Sequence, residues 1–209
     1  MAFDKETATP EELWKFYMGK YQNPNPAAKW LTEGFFSALG RLLKDLPQDS
    51  RILELGCGPG ISTRRILELI QDQYLEASEF EQRLVDLLLK NGFPVTLSQE
   101  SAYEMHRADD EFDCILLLEV LEHLENVDLA LSEIFRVARQ TVIISVPNEP
   151  LWRILNFMRG KYWREWGNTP GHINHWSKKP LVKLLAQHGN IKAVLSPTPW
   201  TIVQVDMHD

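Results

Sequence analysis

The sequence predicts an α/β protein built on a doubly wound, mainly parallel sheet, and three observations carry that prediction. From Arg51 onward, short apolar runs alternate with longer amphipathic ones. Two of the short runs, Cys114–Leu118 and Thr141–Val146, are apolar on both faces, as strands covered by helices on each side must be. The first run ends in a turn with glycine at every second position, Gly56, Gly58 and Gly60, and in such sheets that turn is where backbone meets ligand.

The elements follow in order. Thr9-Pro10-Glu11-Glu12 starts a helix, with Thr9 as N-cap, Pro10 at the first helical position and Glu12 closing a capping box. It runs to about Tyr21, where Asn23-Pro24-Asn25-Pro26 interrupts it. Leu31, Phe35, Leu39, Leu42 and Leu46 recur at helical spacing until Pro47. Strands are then expected at Ile52–Leu55, Tyr74–Ser78, Val95–Ser98, Cys114–Leu118 and Thr141–Val146, with helices at Thr63–Ile70, Phe80–Lys90 and Leu129–Val137 between them. A short helix Leu151–Met158, a helix Ser177–His188, and two strands, Ile191–Leu195 and Thr201–Val205, complete the chain. Residues 1–48 read as an N-terminal helical cover and 49–209 as the α/β domain, with an insertion at 147–176.

The 209 residues are enough for one domain with a full core, and 44% hydrophobic with 24% charged residues is ordinary globular composition. The net charge of -7 argues against a general nucleic-acid binder. Two cysteines, Cys57 and Cys114, fit a reducing compartment. The N-terminus lacks a basic stretch followed by an apolar run, and no apolar stretch is long enough to span a bilayer. A cytoplasmic protein without membrane insertion is expected. The sequence carries no signal of oligomeric state.

The glycine turn separates two ligand classes. A dinucleotide fingerprint wants a third glycine where Ile61 stands, and Pro59 intervenes. Glu54, two residues before Gly56, would repel a pyrophosphate and attract a cation. S-adenosylmethionine, with its ammonium and sulfonium charges, suits such a carboxylate. Glu79, following the second strand, stands where an acid can accept both ribose hydroxyls. The plain alternative is a tight turn with no ligand at all.

On these residues the chain resembles the class I S-adenosylmethionine-dependent methyltransferases over roughly Arg51 to Val205. The resemblance is strongest in Glu54-Leu55-Gly56-Cys57-Gly58-Pro59-Gly60 and continues in Phe112-Asp113, Leu118–Leu124 and Ser145-Val146-Pro147. It implies a Rossmann-like sheet of seven strands in the order 3-2-1-4-5-7-6, the seventh antiparallel. It also implies S-adenosylmethionine contacts from Glu54, Gly56, Cys57, Gly58, Gly60, Glu79, Phe80 and Glu119. Ser101-Ala102 stands where the family often has Asp-Ala against the adenine. At Cys57 the family has a small residue, and the thiol needs no chemistry.

Glu119, Glu122 and His123, at i, i+3 and i+4, would share one helix face beside the cofactor cleft. Three readings stay open. The resemblance sets Glu119 against the cofactor and makes His123 a general base. Some ubiquinone-pathway O-methyltransferases carry a similar Glu-x-x-Glu-His and use it for a divalent metal. The third reading is capping and surface ion pairing. No metal is the expectation here.

The 147–176 insertion is too long for a plain connection. It holds Trp152, Trp163, Trp166 and Trp176 among Arg153, Arg159, Lys161 and Arg164. Trp152, Trp163 and Trp176, with Tyr17 from an N-terminal lid that also offers Trp14, Phe16 and Trp30, are expected to wall the acceptor. His172 and His175 are further candidates for a base or for substrate ligands, or for binding a metal with His123, with backbone bonding and packing under the tryptophans as the plainer alternative. The expected function is methyl transfer to a small-molecule acceptor, at a hydroxyl oxygen, and a non-catalytic binder of the same cofactor is its rival.

Overall fold

The structure is a computed structural model that describes residues 8–21, 25–158, 160 and 166–208, leaving out the side chains of residues 16, 17 and 19–21. The proposed acceptor contacts Tyr17 and Trp163 lie outside this description, as do Phe16, Arg159, Lys161 and Arg164.

Fifteen elements follow one another: α1 (Pro10–Tyr21), α2 (Pro26–Leu43), β1 (Arg51–Leu55), α3 (Ile61–Leu69), β2 (Tyr74–Glu79), α4 (Gln82–Lys90), β3 (Thr96–Gln99), β4 (Phe112–Leu118), a 3-10 turn (Leu121–His123), α5 (Val127–Val137), β5 (Ala138–Pro147), α6 (Leu151–Met158), α7 (Lys178–Leu185), β6 (Asn190–Leu195) and β7 (Trp200–Asp206). The seven strands form one sheet in the order β3-β2-β1-β4-β5-β7-β6. Strands β1 to β5 run parallel, and β7 is antiparallel to both its neighbours.

The period of two along each strand divides the core into two layers. Leu53, Ile115, Leu117, Val142 and Ile144 face Leu131 and Ile134 of α5 and Leu181 and Leu185 of α7. Their neighbours Ile52, Cys114, Leu116 and Ile143 face Phe35, Leu39 and Leu43 of α2 and Ile66 of α3. All seven residues of β4 are buried, as a central strand of a doubly covered sheet requires. α2 therefore packs directly on the sheet, each buried leucine contributing about 1.5–3 kcal/mol.

Helix boundaries follow their caps. The Thr9–Glu12 box closes reciprocally, Thr9 N donating to Glu12 at 2.8 Å and Glu12 N to Thr9 Oγ1 at 3.3 Å. Asn25 caps α2 through the Ala27 amide with Pro26 at the first helical position, so the helix starts ahead of its first periodic apolar residue. α4 starts at Gln82 because Glu81 is its cap, leaving Glu79 and Phe80 on the strand side of the turn. The largest departure is at Glu119–His123, expected as a helix face. Glu119 sits in the left-handed region (φ 59°), only Leu121–His123 are helical there, and α5 begins afresh at Val127 under an Asn126 cap.

Candidate active site

The loop after β1 is tied to β2, for the amides of Gly56 and Cys57 both donate to the Ser78 carbonyl, at 2.9 and 2.8 Å. Its three glycines all have positive φ, but for different reasons. A Cβ on Gly56 would stand 2.7 Å from Val120 Cγ2, and one on Gly60 would run into the Phe93 ring. Packing within the protein therefore demands those two. A Cβ on Gly58 would meet no protein atom within 4 Å: the open space beside it is where a ligand would approach.

Two carboxylates flank that space. Glu54 is buried and accepts a 2.5 Å hydrogen bond from Thr63 Oγ1, while its Oε1 is buried with no hydrogen-bond partner among the described residues. Burial pushes its pKa up to about 7, against the hydrogen bonding of the Ser62 and Thr63 hydroxyls and with help from the charge of Glu79. Glu79 accepts from the Gly58 amide at 2.8 Å and the Glu81 amide at 3.0 Å. Burial raises its pKa as well, those amides opposing the rise. Phe80 next to it is 67% exposed, a flat apolar side chain at the rim. Ser101 Oγ accepts from the Tyr103 amide at 3.2 Å, and Ala102 packs into the core beneath. Cys57 is buried against Ala77 and Leu88, with Trp14 of α1 packed on the same cluster. Its thiol is pushed far up by burial, which makes it an inert packing group.

Across β4 and β5 the edge is organised by side chains. The Glu119 carboxylate accepts from Ser145 Oγ at 3.1 Å and from Trp200 Nε1 at 2.8 Å, which fastens it to β5 and β7, while Glu122 and His123 follow in the 3-10 turn. Those two are joined instead by His172: one ligand atom from each of Glu122, His123 and His172 lies within 4.8 Å of the others. The His123 and His172 rings meet edge to face at 4.9 Å, and His123 Nδ1 is 2.7 Å from the Gly171 carbonyl. Because a carbonyl only accepts, Nδ1 carries the proton and Nε2 the lone pair. His175 stands apart from this trio, its Nε2 3.0 Å from Asn168 Oδ1. Trp152 stacks on His172 at 6.3 Å and meets Trp200 at 5.9 Å, and Trp200 meets Phe35 at 5.2 Å. Trp176 packs against the α5 side of the core.

A family model described as a methyltransferase domain matches residues 27–190. The chain belongs to that family. It is 26% identical over 156 residues to the bifunctional methionine biosynthesis protein MetXA/MetW of Rhodopirellula baltica, a match covering 62% of this chain and 23% of that protein. The chain thus aligns to about a quarter of that relative's length. Its fold is similar to that of a SAM-dependent methyltransferase from Aquifex aeolicus (TM-score 0.64, 14% identity, 96% of this chain and 100% of that one). It is also similar to magnesium protoporphyrin IX methyltransferase from Synechocystis, solved with bound SAH (TM-score 0.63, 16% identity, 89% of each chain).

Two residues of this methyltransferase escaped the sequence reading. Trp200, which holds Glu119, opens β7 without any pattern that marks it. Glu149 is 9% exposed just beyond β5, with Oε1 unpartnered among the described residues and burial raising its pKa. Glu149 had a signal. Strands β1 to β5 each carry a glutamate at or within two residues of their carboxyl end: Glu54, Glu79, Glu100, Glu119 and Glu149. The methyltransferase thus presents an acidic edge, although Glu100 there is neutralised by Arg107 at 2.9 Å.

Proposed function

We propose that this methyltransferase moves the methyl group of S-adenosylmethionine to a hydroxyl oxygen of a small-molecule acceptor. The observation that carries the proposal is Gly58, left-handed and open, set between the buried carboxylate of Glu54 and the half-buried carboxylate of Glu79. The residues present fit the cofactor on two counts: the unpartnered Oε1 of Glu54 suits a cation, and a Cβ at Gly58 would occupy the cradle. When bound, S-adenosylmethionine supplies an electrophilic methyl on a positively charged sulfur.

The chain's own residues supply position and charge. Glu54 attracts the cationic aminoacyl portion. Glu79, already oriented by two amides, accepts the ribose hydroxyls. Phe80 offers a face to the adenine, with Ser101 and Ala102 at its edge, while Gly56, Cys57 and Gly60 shape the loop backbone. Glu119 braces the wall between the two ligands. Methyl transfer is an in-line displacement, so alignment in a dry cleft supplies most of the acceleration. The N-terminal helices and the insertion, including Trp152 and Trp176, are suited to exclude water and wall the acceptor. The acceptor's proton passes to the His123–His172 pair, with Glu122 beside it to stabilise the imidazolium. His175 serves the loop through Asn168.

No helix among the described residues is long and apolar enough to cross a membrane, and both cysteines are unpaired and buried. These support a cytoplasmic enzyme, and the acidic strand edge favours a small acceptor over a nucleic acid. The test is turnover of labelled S-adenosylmethionine with a panel of hydroxylated aromatics, read as S-adenosylhomocysteine release and label in product. Label on an acceptor oxygen is the expected result. Tight S-adenosylhomocysteine binding with no transfer to any acceptor would instead make the protein a non-catalytic binder.

A further inference from the structure

We infer that the cleft between α2 and the β6–β7 turn is a second small-molecule site, one that takes an anion carrying a flat apolar group. The cleft holds about 450 Å³, a volume ordinary for a ligand pocket. One wall is a single stripe of α2, with Trp30, Gly34, Ala38 and Arg41 at i, i+4, i+8 and i+11. The rest of the lining comes from Val194 and Leu195 of β6, the turn that follows it, and Lys178 of α7. In the sheet order β6 is four strands from β1, roughly 19 Å at the usual strand spacing. The cleft is therefore separate from the open space beside Gly58.

The charge of the cleft is opposite to that of the chain. Acidic residues outnumber basic ones by 29 to 22 overall, yet Arg41 and Lys178 line the cleft and no carboxylate does. Arg51, Arg65, Arg83, Arg107, Arg136 and Arg139 each have a carboxylate partner. Arg41 and Lys178 have none among the described residues. Lys178 Nζ instead donates to Ser196 Oγ at 3.1 Å, which fixes the ammonium at the cleft and leaves its other protons for an anion. A carboxylate or phosphate supplies the complementary charge.

The apolar half of the ligand is read from the stripe itself. Gly34 stands inside α2, where glycine is a poorer choice than alanine, and no contact requires it: a Cβ there would meet nothing within 4 Å. The missing side chain, with the short Ala38 one turn on, leaves the cleft open between Trp30 and Arg41. Trp30 is 73% exposed and offers a flat face to a planar group, while Leu31, Val194 and Leu195 add apolar surface. Trp30 and Arg41 are separated by roughly 16 Å along the helix axis, so the occupant is an apolar body with an anionic end, not a bare inorganic ion.

This site does not rest on the methyl-transfer reading and is measured separately from it. The full chain is titrated calorimetrically at low salt with naphthyl phosphate, naphthoate, the uncharged naphthamide and inorganic phosphate. The thermal midpoint and S-adenosylhomocysteine affinity are taken on the same samples. Both naphthyl anions should bind at one equivalent, with naphthamide and inorganic phosphate each at least about 10-fold weaker. Arg41→Gln and Lys178→Gln should each weaken the anions by about 10-fold, the worth of one hydrogen bond to a charged group. Gly34→Leu should lose them with a midpoint at or above wild type, since leucine fills the cleft and is the better helix former. S-adenosylhomocysteine affinity should be unchanged in all three variants. Failure of both naphthyl anions to bind folded wild-type protein, or wild-type affinity for them in Gly34→Leu, overturns the site. Naphthamide binding as tightly as the anions, or no loss in the Arg41→Gln/Lys178→Gln double variant, overturns its assignment to an anion. Anion binding in protein that binds no S-adenosylhomocysteine would uphold this site while removing the methyl-transfer reading.

Discussion

The two halves of the sheet's carboxyl edge are built by opposite means. On the β1–β2 side, backbone sets the shape: three left-handed glycines, two amides on the Ser78 carbonyl and two more on Glu79. On the β4–β5–β7 side, side chains from distant parts of the sequence do so: Trp200 reaches Glu119 across 81 positions and His123 meets the Gly171 carbonyl across 48. A backbone-built site accepts one ligand and tolerates little change. A site assembled from an insertion can be rebuilt for another acceptor while the first half stays as it is. Under the proposed function, that difference is the physical reason the first edge points to a methyl donor and the second to no particular acceptor.

The largest effect should come from Gly60→Val. It places a Cβ into the half-buried Phe93 ring at φ 74°, and overpacking with left-handed strain costs about 1–3 kcal/mol from each source. A lowered thermal midpoint with poor soluble yield is expected, and an unchanged midpoint would show that the loop is not braced by packing. Next is Glu79→Ala, which deprives the Gly58 and Glu81 amides of their acceptor. The hydrogen bonds a ribose would give that carboxylate are worth about 1.5–3 kcal/mol, which corresponds to roughly 10- to 150-fold weaker S-adenosylhomocysteine in calorimetry.

A pH titration sharpens the comparison further. The Glu54 pKa is raised from 4.5 to about 7 by burial, so the fold prefers the neutral acid. Its stabilising contribution is whole below pH 4.5 and is lost as pH rises through about 7. The thermal midpoint of the ligand-free protein should therefore fall across that window, and Glu54→Gln should flatten the fall. Affinity for cationic S-adenosylmethionine should rise over the same window, where the carboxylate forms. A midpoint equally pH-dependent in Glu54→Gln would assign the effect to other groups. The smallest change belongs to the acceptor side: Trp200→Phe removes one donor from Glu119. A part-buried hydrogen bond is worth about 0.5–1.5 kcal/mol net, or a midpoint lower by roughly 1–6 °C at this chain length. S-adenosylhomocysteine affinity should stay near wild type, and a large loss would join the two edges into one unit.

What was legible in the sequence divides along the same line. Strands, glycine turn and the acids Glu54 and Glu79 were readable because each depends on neighbours within a few residues and on the two-residue period of buried strands. The seven-strand order came from the family resemblance, and the structure shows it. Helix ends drifted where a cap decided them, at Asn25 and Glu81. Glu119, Glu122 and His123 were placed on one face by helical spacing, but left-handed Glu119 breaks that face. The partners that then claim each residue, Trp200 and His172, are set by topology that no local pattern contains. Glu149 was readable in principle, as one more glutamate at a strand's carboxyl end.

The most direct test of the account is calorimetric titration of S-adenosylhomocysteine into the wild type and Gly58→Val, with the thermal midpoint measured beside it. A side chain there meets no protein atom within 4 Å, so Gly58→Val should remain folded, its midpoint lowered only by the left-handed strain of about 1–3 kcal/mol. It should lose S-adenosylhomocysteine binding while the wild type keeps it. Wild-type affinity in a folded Gly58→Val would contradict the account, because the open space beside that glycine would then not be where the methyl donor sits.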